Sequence, residues 1–185
     1  MPIYGINNLD KRLLRLRASL QKTIPRRIGQ DAENHFRDSF KRGGFTDRTL
    51  VKWPPRKAQP TDRRGKPVKH TVLFQTGILR NSVRLVRADW NSILIVAGGP
   101  HAPYARIHNE GGTISKSTSV RAHTRRAHSA RVRGKVIARS AATVHTFNRS
   151  INTKIPKRQF MGRSQVLDRI MRETITRTVV ESLVK

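Results

Sequence analysis

"SVRLVRADWNSILIVAGG", Ser82–Gly99, sets two runs rich in Val, Ile and Leu on either side of Asp89-Trp90-Asn91. Branched and large apolar residues flanking a short polar turn are the mark of an antiparallel β-hairpin. The chain on either side follows a different period. Leu9, Leu13, Leu16 and Leu20 recur at spacings of four and three, which puts them on one stripe of a helix whose other faces carry Lys11, Arg12, Arg15 and Arg17, with Asn8 as a candidate cap. Pro25 either kinks this helix or opens a second one at its first position. Beyond it Ile28, Ala32, Phe36 and Phe40 continue the stripe to Gly43-Gly44, so helix is expected from about residue 8 to residue 42. At the other end, Ser164 can cap a closing helix whose Leu167, Ile170, Met171, Thr174, Thr178 and Val179 share a face and which should pack against the first. The expected class is α+β: long N-terminal and C-terminal helices packed on a small antiparallel sheet.

The segments between are shorter. Phe45 to Thr71 has loop composition, with four prolines and a candidate aromatic anchor, Trp53. Thr76 can cap a short helix carrying Ile78 and Leu79. Pro103 can begin another through "YARIHNE", ended by Gly111-Gly112, with Tyr104, Ile107 and His108 on one face. From Gly111 to Leu167 there are 13 Lys or Arg and no Asp or Glu. Within that stretch "VRAHTRRAHSARVRGKVIARSAATVHT", Val120–Thr146, roughly mirrors itself about Arg133-Gly134-Lys135, which predicts a long basic β-hairpin arm. Its alternation is too weakly apolar to drive a core of its own, so the arm needs a partner or a neighbouring subunit. The expected organisation is one α+β domain, 1–112 plus 153–185, with 113–152 inserted as the arm.

The 185 residues include 39 Lys and Arg against 11 Asp and Glu, a formal charge of +28, which repels itself in a compact monomer and calls for a polyanion or an acidic partner surface. Clustered cations with few acids are the footprint of phosphate contact, and the candidates are Arg121, Arg125, Arg126, Arg131, Arg133, Lys135 and Arg139. No zinc finger, RNP signature or helix-turn-helix is evident. Phe147 is the arm's sole aromatic, so contact would be with the backbone and not with bases.

Chemistry is harder to place. His108-Asn109-Glu110 has the H-x-E spacing of zinc deaminases, yet the chain has no cysteine to complete such a site, and none for a disulfide, iron-sulfur cluster or thiol nucleophile. Glu110 reads more simply as the i,i+4 partner of Arg106. There is no G-x-S-x-G elbow, Walker loop or dinucleotide fingerprint. The expectation is no catalytic residue, no cofactor and no metal. No run of about 18 apolar residues occurs, and the start of the chain lacks a signal-peptide pattern, so neither membrane span nor export signal is expected.

Taken in order, "WPPRK" (Trp53–Lys57), "LFQTGILRNSV" (Leu73–Val83), "PYARIHNEGG" (Pro103–Gly112) and "IPKRQFMGRS" (Ile155–Ser164) resemble the phage virion morphogenesis family, the Mu-like tail-completion proteins. The resemblance implies a non-enzymatic virion protein at the head-tail junction, assembled in the host cytoplasm as a homo-oligomeric ring, hexameric or dodecameric, around the DNA channel. It implies portal or adaptor proteins and tail-tube or tail-terminator proteins as neighbours, with non-specific contact to packaged DNA. The family's recurring positions are here Thr76, Gly77, Leu79, Arg80, Ser82, Tyr104, Ala105, His108, Gly112, Arg158, Phe160 and Gly162. With Trp53, these are expected at fold or subunit contacts. The long basic arm departs from the shorter connection of many relatives. A competing reading is a general nucleic-acid-binding protein whose arm orders on RNA or DNA.

Overall fold

The computed structural model describes residues 4–56, 64–67, 72–132 and 135–184. They divide into two compact units, one of residues 1–111 with 156–185 and one of residues 112–155. The class is α+β.

In the first unit, helix α1 (Tyr4–Ala18) passes through a π-helical turn (Ser19–Thr23) into α2 (Ile24–Arg42). Asn8 therefore lies inside α1 and does not cap it. The Ile24 N–H reaches back to the Ser19 carbonyl, the wider π spacing. Pro25 falls in the first turn of α2, directly after the wide turn, where the spacing of the helical bonds has already departed from i→i−4. The chain thus keeps one continuous helical path and absorbs the proline in a single wide turn. Gly43 ends α2 at φ 67°, its N–H on the Ser39 carbonyl. Only glycine takes that left-handed conformation without a Cβ penalty.

The segment expected to be all loop contains a small hairpin, β1 (Gly44–Thr46) against β2 (Leu50–Lys52). Strands of three residues are too short to show a period. The rest of that loop, residues 57–63 and 68–71, lies outside the described residues. Helix α3 (Ile78–Asn81) follows, and its cap position is Gly77 at φ 76°, with Thr76 exposed one residue earlier. The threonine cap is thereby corrected: the left-handed glycine makes the entry, and no side chain caps it.

Strands β3 (Arg84–Ala88) and β4 (Ile93–Val96) pair antiparallel with a bulge between Leu85 and Arg87. The Asp89 carboxylate closes their turn by accepting from the Asn91 and Ser92 N–H groups at 3.0 and 2.8 Å. Three residues of α2 seat this hairpin. A Cβ at Gly29 would lie 2.7 Å from a Leu85 methyl. Glu33 accepts the Leu85 N–H at 2.7 Å, and Arg37 bridges Glu33 at 2.7 Å and the Val83 carbonyl at 3.1 Å. The small sheet of the sequence reading is two separate hairpins, each laid on α2.

Helix α4 (Ala105–Glu110) and the closing helix α5 (Gln165–Val184) complete the unit. Ser164 does cap α5: its Oγ accepts the Leu167 N–H at 3.1 Å and donates to the Thr46 carbonyl at 2.7 Å. Asp47, in the β1–β2 turn, accepts the Gln165 N–H at 2.9 Å. α5 lies on α2 along a seam that is largely polar. The Thr174 hydroxyl donates to Asp31 at 2.7 Å, and Arg27 donates to the Thr178 hydroxyl and to Glu181, both at 2.9 Å. The apolar core sits at the other end, around Phe40, Val83 and Phe160, all essentially without exposure.

The second unit is a ribbon. β5 (Gly112–Val120) pairs with β10 (Phe147–Ile155), β6 (His123–Arg125) with β9 (Ala142–Val144), and β7 (His128–Val132) with β8 (Lys135–Arg139). The register runs without a slip from Gly112↔Ile155 to Val132↔Lys135. None of its described side chains is buried.

Candidate functional site

The four sequence blocks meet at one cavity of about 340 Å³ in the first unit. Arg56 comes from the first block, Thr76, Gly77 and Leu79 from the second, Tyr104 and His108 from the third, and Arg158 from the fourth. Prolines make part of this convergence. Pro54 and Pro55 have no N–H to enter a ladder, and their carbonyls accept from Arg158 Nε and Nη2 at 3.1 and 3.2 Å. The Arg158 N–H in turn donates to the His108 carbonyl at 2.8 Å. Trp53 Nε1 donates to the Gln159 carbonyl at 2.6 Å. Asn109 Oδ1 accepts two backbone N–H groups, those of Phe160 at 2.9 Å and Met161 at 3.0 Å.

These bonds fix the closing loop so that the Phe160 ring lies 5.1 Å from Phe40, which meets Trp53 edge-on at 5.5 Å. Gly111, at φ 78°, lets the chain leave α4 where a Cβ would stand 3.0 Å from the Lys157 backbone. The arrangement is a clasp: the loop before α5 is laced to the WPP segment and to α4.

The cavity lining bears on chemistry. Tyr104 and His108 pack edge to face at 5.7 Å. Burial, reinforced by the Arg158 charge, lowers the His108 pKa below its ordinary 6.5 and favours the neutral ring. Burial, then the neighbouring Arg56 charge, also lowers that of Arg158. His108 Nδ1 and Arg80 Nε find no hydrogen-bond partner among the described residues, and the Arg80 guanidinium rests over the Phe74 ring at 5.4 Å. The described lining includes no carboxylate. Thr76, Tyr104 and His108 are the lining side chains with a proton to exchange, and Arg56 and Arg158 supply its positive charge. Among the described residues no cluster of His, Asp or Glu could hold a metal ion.

The H-x-E triplet is divided three ways, because successive helical residues point about 100° apart. His108 faces the cavity, and Glu110 forms an exposed ion pair with Arg106 at 3.1 Å, as its spacing predicts. Asn109, passed over in the sequence reading, makes the bonds that hold the loop. A polar residue between two more suggestive ones gave no periodic or motif signal.

Thr76 and Tyr104 are exposed at the cavity's rim, Gly112 is exposed at the root of the ribbon, and Trp53, Gly77, Leu79, Arg158 and Phe160 are buried. On the ribbon, Arg121, Arg125, Arg126, Lys135 and Arg139 are exposed. Arg131 lies in the β7 ladder, and Arg133 lies outside the described residues. Sequence reading also missed a repeat, Arg-Ala-His at 121–123 and again at 126–128. Each histidine Nδ1 meets the carbonyl of its own arginine, at 3.0 Å (His123 to Arg121) and 3.2 Å (His128 to Arg126), where the ladder is interrupted.

Another histidine of the body, His35, is buried where His108 is half-buried. His35 Nε2 donates to the Thr46 carbonyl at 3.2 Å, and burial lowers its pKa despite that bond. Folding thus holds His35 and His108 below the value of the unfolded chain. Their contribution is complete above pH 6.5 and is lost as pH falls below it, because the unfolded state then binds protons that the folded state refuses. Chemical denaturation should show the midpoint falling from pH 7.5 to pH 5.5, and replacing both histidines by Gln should flatten that fall.

The sequence profile of the phage virion morphogenesis family matches residues 5–180. No curated protein and no solved structure matches the chain.

Proposed function

Because the chain belongs to the phage virion morphogenesis family, we propose that it is a tail-completion protein that forms a ring around the DNA channel and joins head to tail. The family match over nearly the whole chain carries this reading. The proposed neighbours are a portal or adaptor protein on one side and a tail-tube or tail-terminator protein on the other.

Helix α1 supports assembly with further copies. From Leu9 to Ala18 it has no buried residue, and Leu9 and Leu13 are 56 % and 52 % exposed although they lie one turn apart. A 15-residue helix is marginal without tertiary cover, and an apolar stripe on it is covered most simply by an adjacent subunit. A contact between unlike faces of identical subunits closes into a ring when the rotation permits.

Phage grown without the protein should yield separate heads and tails in electron micrographs, and joined virions would overturn the proposal. Complementation with wild-type chain should restore joining. A Leu9→Glu, Leu13→Glu variant should fold, remain monomeric by light scattering and fail to complement. If that variant still assembles, the subunit contact lies elsewhere than α1.

A further inference from the structure

The ribbon is not uniformly basic, and the unbroken register shows how its charge is distributed. Its stem, β5 with β10, has only Lys116, Arg149 and Lys154 among eighteen residues. One face of that stem pairs Ser115 with Asn152, Ser117 with Ser150 and Ser119 with Asn148, and its one cation, Lys154 opposite Thr113, stands at the base. The other seven cations of the ribbon lie between Arg121 and Arg139. At about 3.3 Å per residue the stem is about 30 Å long, and the cationic portion continues for about 40 Å more, with one charge about every 6 Å. No acid occurs anywhere in the ribbon to neutralise them.

We propose that this distal portion, residues 121–139, is a binding element for the phosphate backbone of duplex DNA, and that the stem is a spacer that extends it. Repeated charge is not enough by itself, because an acidic protein would also attract it. The composition between the charges favours DNA. Residues 121–146 contain no Trp, Tyr or Phe, whereas protein interfaces rely on a few bulky anchors set in pockets. Apart from His123, His128 and Ile137, what stands between the cations is Gly, Ala, Val, Ser and Thr, small side chains that let a ribbon approach a groove.

The Arg-Ala-His repeat adds order. Arg121 and Arg126 occupy equivalent places where the ladder opens, five residues and about 17 Å apart, each with its carbonyl engaged by a histidine ring nitrogen. The backbones of the two arginines are thus set at a defined interval, an odd offset that presents one side chain on each face of the ribbon, while the carbonyl that would repel phosphate is occupied. Contacts of this kind carry no base information, so the element would hold DNA and still let it slide. The choice of duplex DNA as ligand rests on the proposed place at the DNA channel, whereas phosphate binding itself rests on the ribbon.

The test uses the full chain, a short fluorescein-labelled duplex in two unrelated sequences, and anisotropy over a range of sodium chloride. Replacing Arg121, Arg125, Arg126, Lys135 and Arg139 by Gln should reduce the log-log salt slope by about 4 to 5, close to 0.9 for each phosphate that is no longer neutralised. The same arginines replaced by Lys should leave the slope within about 1 of wild type, since charge is retained. Replacing Lys116, Arg149 and Lys154 by Gln should also leave it nearly unchanged. These substitutions touch no buried side chain, and circular dichroism would confirm that the body is intact.

The proposal is overturned if the stem variant loses as much slope as the distal one, if the distal variant loses none, or if polyglutamate displaces the protein more effectively than unlabelled duplex. The last result would make an acidic protein the partner. Binding as proposed, together with normal head-tail joining in phage lacking the protein, would refute the neck role and leave the phosphate site standing.

Discussion

Phe160→Ala should lower the free energy of unfolding by about 3–5 kcal/mol, the range for emptying a well-packed aromatic site. For a chain of this size that corresponds to a fall in Tm on the order of 10 °C. The expectation follows from position. Phe160 is 1 % exposed and packs on Phe40, itself fully buried, which in turn meets Trp53. Helix α2, the Trp53 segment and the distant closing loop thus share one aromatic cluster, and removing the ring that the closing loop contributes leaves a cavity against Phe40 whose walls are held by backbone bonds and cannot collapse readily. Phe160→Leu should cost much less. Denaturant titration of the full chain is the measurement, and a drop below about 1 kcal/mol for Phe160→Ala would show that the closing loop is not a keystone of the core.

Asn109→Ala should come next, at about 2–4 kcal/mol, because it leaves the N–H groups of Phe160 and Met161 without their shared acceptor. Asn109→Asp keeps an acceptor oxygen in place and should recover most of the stability. Glu110→Ala, by contrast, removes one exposed helix-surface pair, a contribution of about 0.3–0.5 kcal/mol. If Asn109→Ala unfolds at the wild-type midpoint, the clasp does not hold the closing loop.

Much of the secondary structure was legible because it is periodic. The stripe Ala32, Phe36 and Phe40 is buried as its spacing requires, Ser164 caps α5, and the turn of Ser82–Gly99 is closed by its aspartate. The misreadings fall where period carries no information. The β1–β2 hairpin has three residues per strand, the entry to α3 uses a left-handed glycine in place of the threonine, and α1 begins four residues before the asparagine that looked like its cap. Pro25 left two outcomes open, and the π-helical turn is a compromise between them that depends on the backbone of the preceding turn.

The candidate site was legible as four blocks but not as a site. Nothing in the spacing of Trp53, Thr76, His108 and Arg158 states that their segments share a cavity, since those contacts span many tens of residues and depend on how α2 and α5 seat the loops. By itself the sequence determined the α+β class, the family, the absence of any thiol chemistry and the location of the cations, all of which follow from composition and local order. Only the tertiary structure decided that the H-x-E triplet splits among cavity, clasp and surface, that the seam between α2 and α5 is polar, and that the ribbon's register pairs a sparsely charged stem and continues it into a densely charged end. The physical reason is the same in each case: the direction of a side chain is local, while what it meets is set by segments far away in the chain.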